Sequence, residues 1–186
     1  MNFKLALAAK KAYKVPPTIS NKKLGVQVLI EDSIIACRGT DQMKDWAINL
    51  HTDLHEHEGV LVSAGILKCF LTIKHELRNA AFKVYPMRIC GHSMGGALAQ
   101  MIYQFMRDDL GIVECDTYGS PRVFASFQED VILDGIVRYE NPLDIVTWLP
   151  PSFSCYSHYG ETRKLPSGFY HGMDGYYHAM KKRKYI

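Results

Sequence analysis

Residues Gly91-His92-Ser93-Met94-Gly95 set a serine between two glycines in the pattern Gly-x-Ser-x-Gly. This pattern suits a strand-to-helix turn so tight that the serine is strained with its hydroxyl presented, and side chains at the flanking glycine positions would clash. A serine hydroxyl becomes a nucleophile when a base takes its proton. An imidazole does this well when a carboxylate fixes its tautomer and stabilises its cation. The chemistry on offer is acyl transfer, and where the serine rides such an elbow the acid and then the histidine follow it in the chain.

For the acid, a strand predicted at Ile136-Val137-Arg138-Tyr139 runs out through Glu140-Asn141-Pro142-Leu143, leaving Asp144 in a loop just past a strand end. Asp108, Asp109, Asp130 and Asp134 lie in polar helix-end or turn contexts, Asp116 lies within a strand, and Asp174 follows the preferred base too closely. The plain alternative for Asp144 is a turn residue after Asn141-Pro142. For the base, His158, His171 and His178 remain. His171 is favoured because a loop histidine can swing toward the serine, whereas His178 sits inside a predicted C-terminal helix; both others stay open. Charge developing on the ester carbonyl oxygen needs preorganised donors, each worth about 3–4 kcal/mol. Met94 supplies one backbone N–H as the residue after the nucleophile. Thr40 is the candidate for the second, with its N–H and hydroxyl, because a strand stops at Arg38-Gly39-Thr40; its alternative role is to cap a helix at Lys44-Asp45-Trp46.

The elements that must hold these residues follow from pattern. A helix over residues 3 to 14 stops before Pro16-Pro17. Leu24 to Ile30 and Ser33 to Arg38 read as a hairpin turning at Glu31-Asp32. Residues 60 to 79 carry helical apolar spacing. Met87-Arg88-Ile89-Cys90 reads as a buried strand before the elbow, and Gly96 to Ile102 as a helix whose small residues allow close packing on a sheet. A strand at Ile112 to Tyr118, a short helix around Val123 to Asp130 and a strand at Gly135 to Tyr139 complete the alternation. It predicts an α/β class: a mainly parallel sheet with helices on both faces, where ligands bind beyond the carboxyl ends of strands.

At 186 residues, with 47% hydrophobic and 22% charged, the chain suits one globular domain with a sizeable core. A net charge of +3 gives no overall basic field, so nucleic acid is not expected as a partner. The local run Lys181-Lys182-Arg183-Lys184, in a basic tail over 181–186, reads as a solvated helix end and offers a transient contact with a membrane surface. The five cysteines lack Cys-x-x-Cys spacing and are odd in number, which suggests free thiols in a reducing compartment. Cys37, Cys90 and Cys115 fall in apolar runs and read as packing residues. Leu5 to Ala9 is too short for a secretory apolar region, and no run approaches the roughly 20 apolar residues that span a bilayer. These signs lead to the expectation of a cytoplasmic protein.

Several separated segments resemble the class three lipase family, the fungal-lipase-like branch of α/β hydrolases. They are Arg38-Gly39-Thr40 with Asp45-Trp46, Gly91 through Ala99, Tyr118-Gly119-Ser120-Pro121-Arg122-Val123, Asn141 to Asp144 with Leu149-Pro150, and His171 with Tyr176. The resemblance spans 38 to 176 in family order and implies an α/β-hydrolase fold and a serine esterase with no cofactor. It implies Ser93 as nucleophile, Asp144 as acid, His171 as base, and Thr40 and Met94 as oxyanion donors. The stretch 46–59, where the family carries a lid, is brief and polar, which points away from bulk oil toward a smaller ester or a single lipid molecule. Its His51, Asp53, His55 and His57 lack His-Glu-x-x-His spacing and read as solvated lid rather than metal ligands. Trp46 and Trp148 read as core before acyl pocket. The same triad would serve an acyltransferase or thioesterase, and a silent lipid-binding module on this fold is the remaining class.

Overall fold

The computed structural model describes residues 2–40, 53–81, 86–132, 134–166 and 171–183. Strands β1 (Ile19–Asn21), β2 (Val26–Glu31) and β3 (Ile34–Cys37) pair antiparallel. The hairpin between β2 and β3 turns at Asp32 and Ser33, both at positive φ, as a tight turn between right-twisting strands demands. From β3 the sheet continues in parallel through β6 (Met87–His92), β7 (Ile112–Tyr118), β9 (Ile136–Glu140) and β11 (Glu161–Lys164). The seven strands lie in the order β1-β2-β3-β6-β7-β9-β11. A second sheet of four antiparallel strands, ordered β10-β8-β5-β4, is built from β4 (Leu54–His57), β5 (Val60–Ser63), β8 (Phe124–Ala125) and β10 (Tyr156–Ser157).

The central strands β3, β6, β7 and β9 are largely buried, whereas the edge strand β11 is not, and alternate residues enter different cores. Val28, Ile35, Cys37 and Ile89 pack with helices α2 (Ala64–Ala81) and α3 (Met94–Leu110). Leu29, Ala36, Cys90, Tyr118 and Tyr139 pack on the other face with α1 (Phe3–Lys11) and α4 (Met173–Arg183). Leu5, Ala6 and Ala9 of α1 and Met173, Tyr176, Ala179 and Met180 of α4 supply that second core. Their spacing of three and four puts them on one helical stripe each. None of the described helices is long and apolar enough to cross a membrane.

Four expectations change. Residues 60 to 63 form strand β5 rather than the first turn of the helix, because Val60 and Val62 are buried while Leu61 between them is exposed, a period of two within a longer period of 3.6. Residues 123–130 are not helical: Phe124–Ala125 pairs with β5 and β10, and Phe127 follows at positive φ. Helix α1 ends at Lys11, and Lys14 and Val15 turn back onto the Lys11 carbonyl, freeing Tyr13 from the helix. In the expected lid, residues 46–52 lie outside the described residues, as do Trp46 and His51. Leu54–His57 is strand β4, and His57 packs edge-on against Phe70 and Phe105 instead of standing in solvent.

Asp116 is buried in β7 beneath α1 and α4, with Oδ2 accepting from the Tyr118 hydroxyl at 3.4 Å. Burial first, then the nearby Glu114 carboxylate, pushes its pKa up from 3.8 to about 7. With the folded pKa above the unfolded one, the folded state holds the extra proton between pH 4 and 7. Stability therefore falls as pH rises through that window, by roughly 4 kcal/mol at the upper limit of about 1.4 kcal/mol per pKa unit. Asp116→Asn removes the ionisation. Urea unfolding should show the variant gaining on the wild type from pH 5 to pH 7 and holding a constant advantage above it; a pH-independent difference would contradict the assignment.

Candidate active site

The turn at Ser93 has the strain its sequence announces. Ser93 has φ 58° and ψ −129°, a region that a residue with a side chain occupies only when its surroundings over-determine it. They do so here. The Ser93 N–H donates to the Tyr118 carbonyl at 2.9 Å, and its carbonyl receives the N–H groups of Gly96 and Ala97 as α3 begins. A Cβ on Gly91 would overlap the Gly95 backbone, and one on Gly95 would overlap the Cys37 carbonyl. The two motif glycines are thus required by close approach of the elbow to itself and to β3. Beneath it, the buried Gln100 side chain donates to Ser120 Oγ at 2.8 Å, tying α3 to the segment after β7. Ser93 is itself buried.

Asp144 follows β9 by four residues and caps the short helical turn Ile145–Trp148 by accepting from the Val146 N–H at 3.0 Å. Its carboxylate meets His171 Nδ1 at 2.9 Å through Oδ1 and 2.7 Å through Oδ2. The Tyr176 hydroxyl donates to Oδ2 at 2.5 Å while accepting from the Asn141 N–H at 3.2 Å. Burial pushes the Asp144 carboxyl up, but bonds from His171, Tyr176 and Val146 outweigh it and hold the group below the usual carboxylate range. The other nitrogen of His171, Nε2, is buried without a hydrogen-bond partner among the described residues. Its ring lies 4.6 Å from that of His92, the residue before Ser93. The structure therefore gathers Asp144, His171 and the elbow.

The two rival histidines have other surroundings. His158 bonds the Thr147 carbonyl at 2.6 Å, and burial followed by the Arg138 charge lowers it to about 3. His178 lies on α4 with its ring beside Tyr177. Met94 is the first residue of α3, with its N–H at the helix start. Thr40 is the last described residue after β3, and Gly39 before it packs so tightly that a Cβ there would stand 3.0 Å from Ser93 Cβ. The helix expected at Lys44-Asp45-Trp46, for which Thr40 is the alternative cap, lies outside the described residues. Trp148 is exposed rather than core, and Leu143 and Ile145, which flank Asp144 in the chain, are exposed with it. Tyr176 drew notice in the sequence without a role; its spacing to Asp144 carries no local signal.

Residues 34–154 match the family model for lipase (class 3). A secreted mono- and diacylglycerol lipase from Fusarium solani is 25% identical over 140 residues, 69% of this chain and 42% of its own length. A lipase from Rhizomucor miehei is 30% identical over 145 residues, 68% of this chain and 40% of its own. The chain thus spans well under half the length of these two relatives. The solved structure of a triacylglycerol lipase with a serine-protease triad at its catalytic centre superposes with a TM-score of 0.65 at 27% identity, covering 76% of this chain and 62% of that one.

The expectation of a cytoplasmic protein is corrected by the Fusarium solani relative, which is a secreted lipase. The cysteine argument behind that expectation fails for a physical reason. Cys37, Cys69, Cys90 and Cys115 are buried, and burial raises every one of these thiols, Cys69 to about 11. Thiols so desolvated are inert, so these four of the five cysteines carry no redox signal, and Cys155 alone is exposed. The match over 34–154, with the parallel sheet and elbow described above, establishes that the chain belongs to the class 3 lipase family of the α/β-hydrolase fold.

Proposed function

We propose that the chain forms one α/β-hydrolase domain that cleaves carboxylic esters of lipids or small acyl groups through an acyl-enzyme on Ser93. The observation that carries this is His171, with Nδ1 bonded to buried Asp144 and Nε2 left unpartnered beside the elbow. Nε2 takes the Ser93 proton as Oγ attacks the ester carbonyl, and the imidazolium is stabilised by the carboxylate. The Met94 and Thr40 N–H groups receive the developing oxyanion. His171 returns the proton to the leaving alcohol, then activates water that releases the acid and frees Ser93. Every group required is a side chain or backbone amide, so the reaction needs no cofactor.

The exposed apolar side chains of Leu143, Ile145 and Trp148, close to Asp144 in the chain, favour an acyl chain as the substrate's apolar part. The expected substrate is a dispersed lipid or a small ester. With p-nitrophenyl esters from acetyl to palmitoyl, turnover should be measurable for soluble short and medium chains and should not jump at the solubility limit. Turnover confined to emulsified long-chain triglyceride would contradict this substrate class, and no turnover of any ester would contradict the reaction.

A further inference from the structure

His92 occupies the variable position before the nucleophile, where the elbow demands nothing of the side chain, yet it is buried and doubly bonded. Its Nε2 lies 2.6 Å from the His171 carbonyl oxygen. A carbonyl can only accept, so Nε2 carries the proton and Nδ1 of the neutral ring is an acceptor. Nδ1 faces the Tyr13 hydroxyl at 2.6 Å, which must therefore donate to it. That same hydroxyl accepts from the Gly39 N–H at 3.0 Å. Every proton in the line has a determined place: Gly39 N–H to Tyr13, Tyr13 O–H to His92, His92 N–H to His171.

The two ends of this line are the loops that ester chemistry needs held. Gly39 precedes Thr40, and the His171 backbone sets where its ring stands between Asp144 and the elbow. Packing supports the same contact. A Cβ on Gly39 would come within 2.5 Å of the Tyr13 oxygen and 2.8 Å of the His92 carbonyl. The Tyr13 ring meets His92 edge-on with centroids 5.7 Å apart, and the Arg38 guanidinium lies 5.0 Å over the Tyr13 ring. Tyr176, the partner of Asp144, meets the His92 ring edge-on at 5.9 Å.

We infer that Tyr13 and His92 are positioning residues, which lock the oxyanion loop at Gly39–Thr40 and the backbone of the base His171 to the elbow through one directional hydrogen-bond line. The inference rests on the serine ester hydrolase reading above. The direction of the line survives only while His92 is neutral. Burial, reinforced by the His171 charge, lowers it to about 3, so neutrality holds throughout the range where the base itself works. A neutral ring also spares the His171 imidazolium from a second cation whose centroid lies 4.6 Å away.

The test is steady-state hydrolysis of a soluble p-nitrophenyl ester by Tyr13→Phe, His92→Leu, His92→Gln and the Tyr13→Phe/His92→Leu double variant, with Ser93→Ala alongside. kcat is normalised to sites titrated with a fluorophosphonate, which removes any unfolded fraction. Tyr13→Phe and His92→Leu should each lower kcat per site by about tenfold to a hundredfold, the range expected for a displaced catalytic group, with KM within about twofold of the wild type. The double variant should be no worse than His92→Leu, because both break the same line. His92→Gln, whose amide can still donate to the His171 carbonyl, should recover part of the loss. Wild-type kcat per site in the single variants, fully additive losses, or His92→Gln no better than His92→Leu would overturn the inference. Turnover retained by Ser93→Ala would instead overturn the hydrolase reading on which it stands.

Discussion

Asp144→Asn should lower kcat/KM for a soluble ester by about 10³–10⁴-fold without unfolding the protein. The carboxylate accepts His171 Nδ1 through both oxygens, at 2.9 and 2.7 Å, and Tyr176 through Oδ2. An amide in its place withdraws the negative charge that stabilises the imidazolium. It also sets an N–H against either His171 Nδ1 or the Tyr176 oxygen. If it faces Nδ1, that nitrogen becomes an acceptor and the proton moves to Nε2, where it blocks uptake of the serine proton. The carbonyl of the amide can still receive the Val146 N–H, so the cap on the turn at Ile145–Trp148 persists. Steady-state kinetics with circular dichroism checks this; a loss under tenfold would show that Asp144 is a turn residue and not the acid.

Ser93→Ala should remove still more, about 10⁶-fold in kcat, since without an Oγ there is no acyl-enzyme and the base has nothing to activate. The backbone at 93 keeps its positive φ in the variant, and alanine pays for that conformation as serine does. The elbow bonds to Tyr118, Gly96 and Ala97 are all main-chain, so the fold should survive. Residual activity then measures what the oxyanion groups and binding do alone.

Local signals made much of this molecule legible. The elbow and the strands on either side of it follow from patterns within a dozen residues, the hairpin expected to turn at Glu31-Asp32 turns one residue later at Asp32-Ser33, and Asp144 falls in the loop past a strand end where an α/β sheet places ligands. What escaped was long-range or short-period. Strands β8, β10 and β11 have two to four residues each and owe their pairing to partners far along the chain, so no window of sequence announces them, while β4 pairs locally with β5 but within a stretch of charged and imidazole side chains. Val60 and Val62 were absorbed into a helical pattern because alternation over four residues is a weak signal beside eighteen residues of helix. In the site, Ser93 and Asp144 were visible as motif and strand-end loop. Tyr13, and the bond from Tyr176 to Asp144, were not, since these contacts span 79 and 32 residues, and only folding brings those atoms within reach.

The central claim is that Ser93 is a nucleophile activated by His171. Intact-mass measurement after incubation with a fluorophosphonate, followed by peptide mapping, tests it at the atom concerned. One phosphonyl group should appear per chain, mapped to Ser93, and its rate of attachment should fall sharply in Asp144→Asn. An unmodified Ser93 in folded protein, or an adduct that forms equally fast when Asp144 is replaced, would contradict the account.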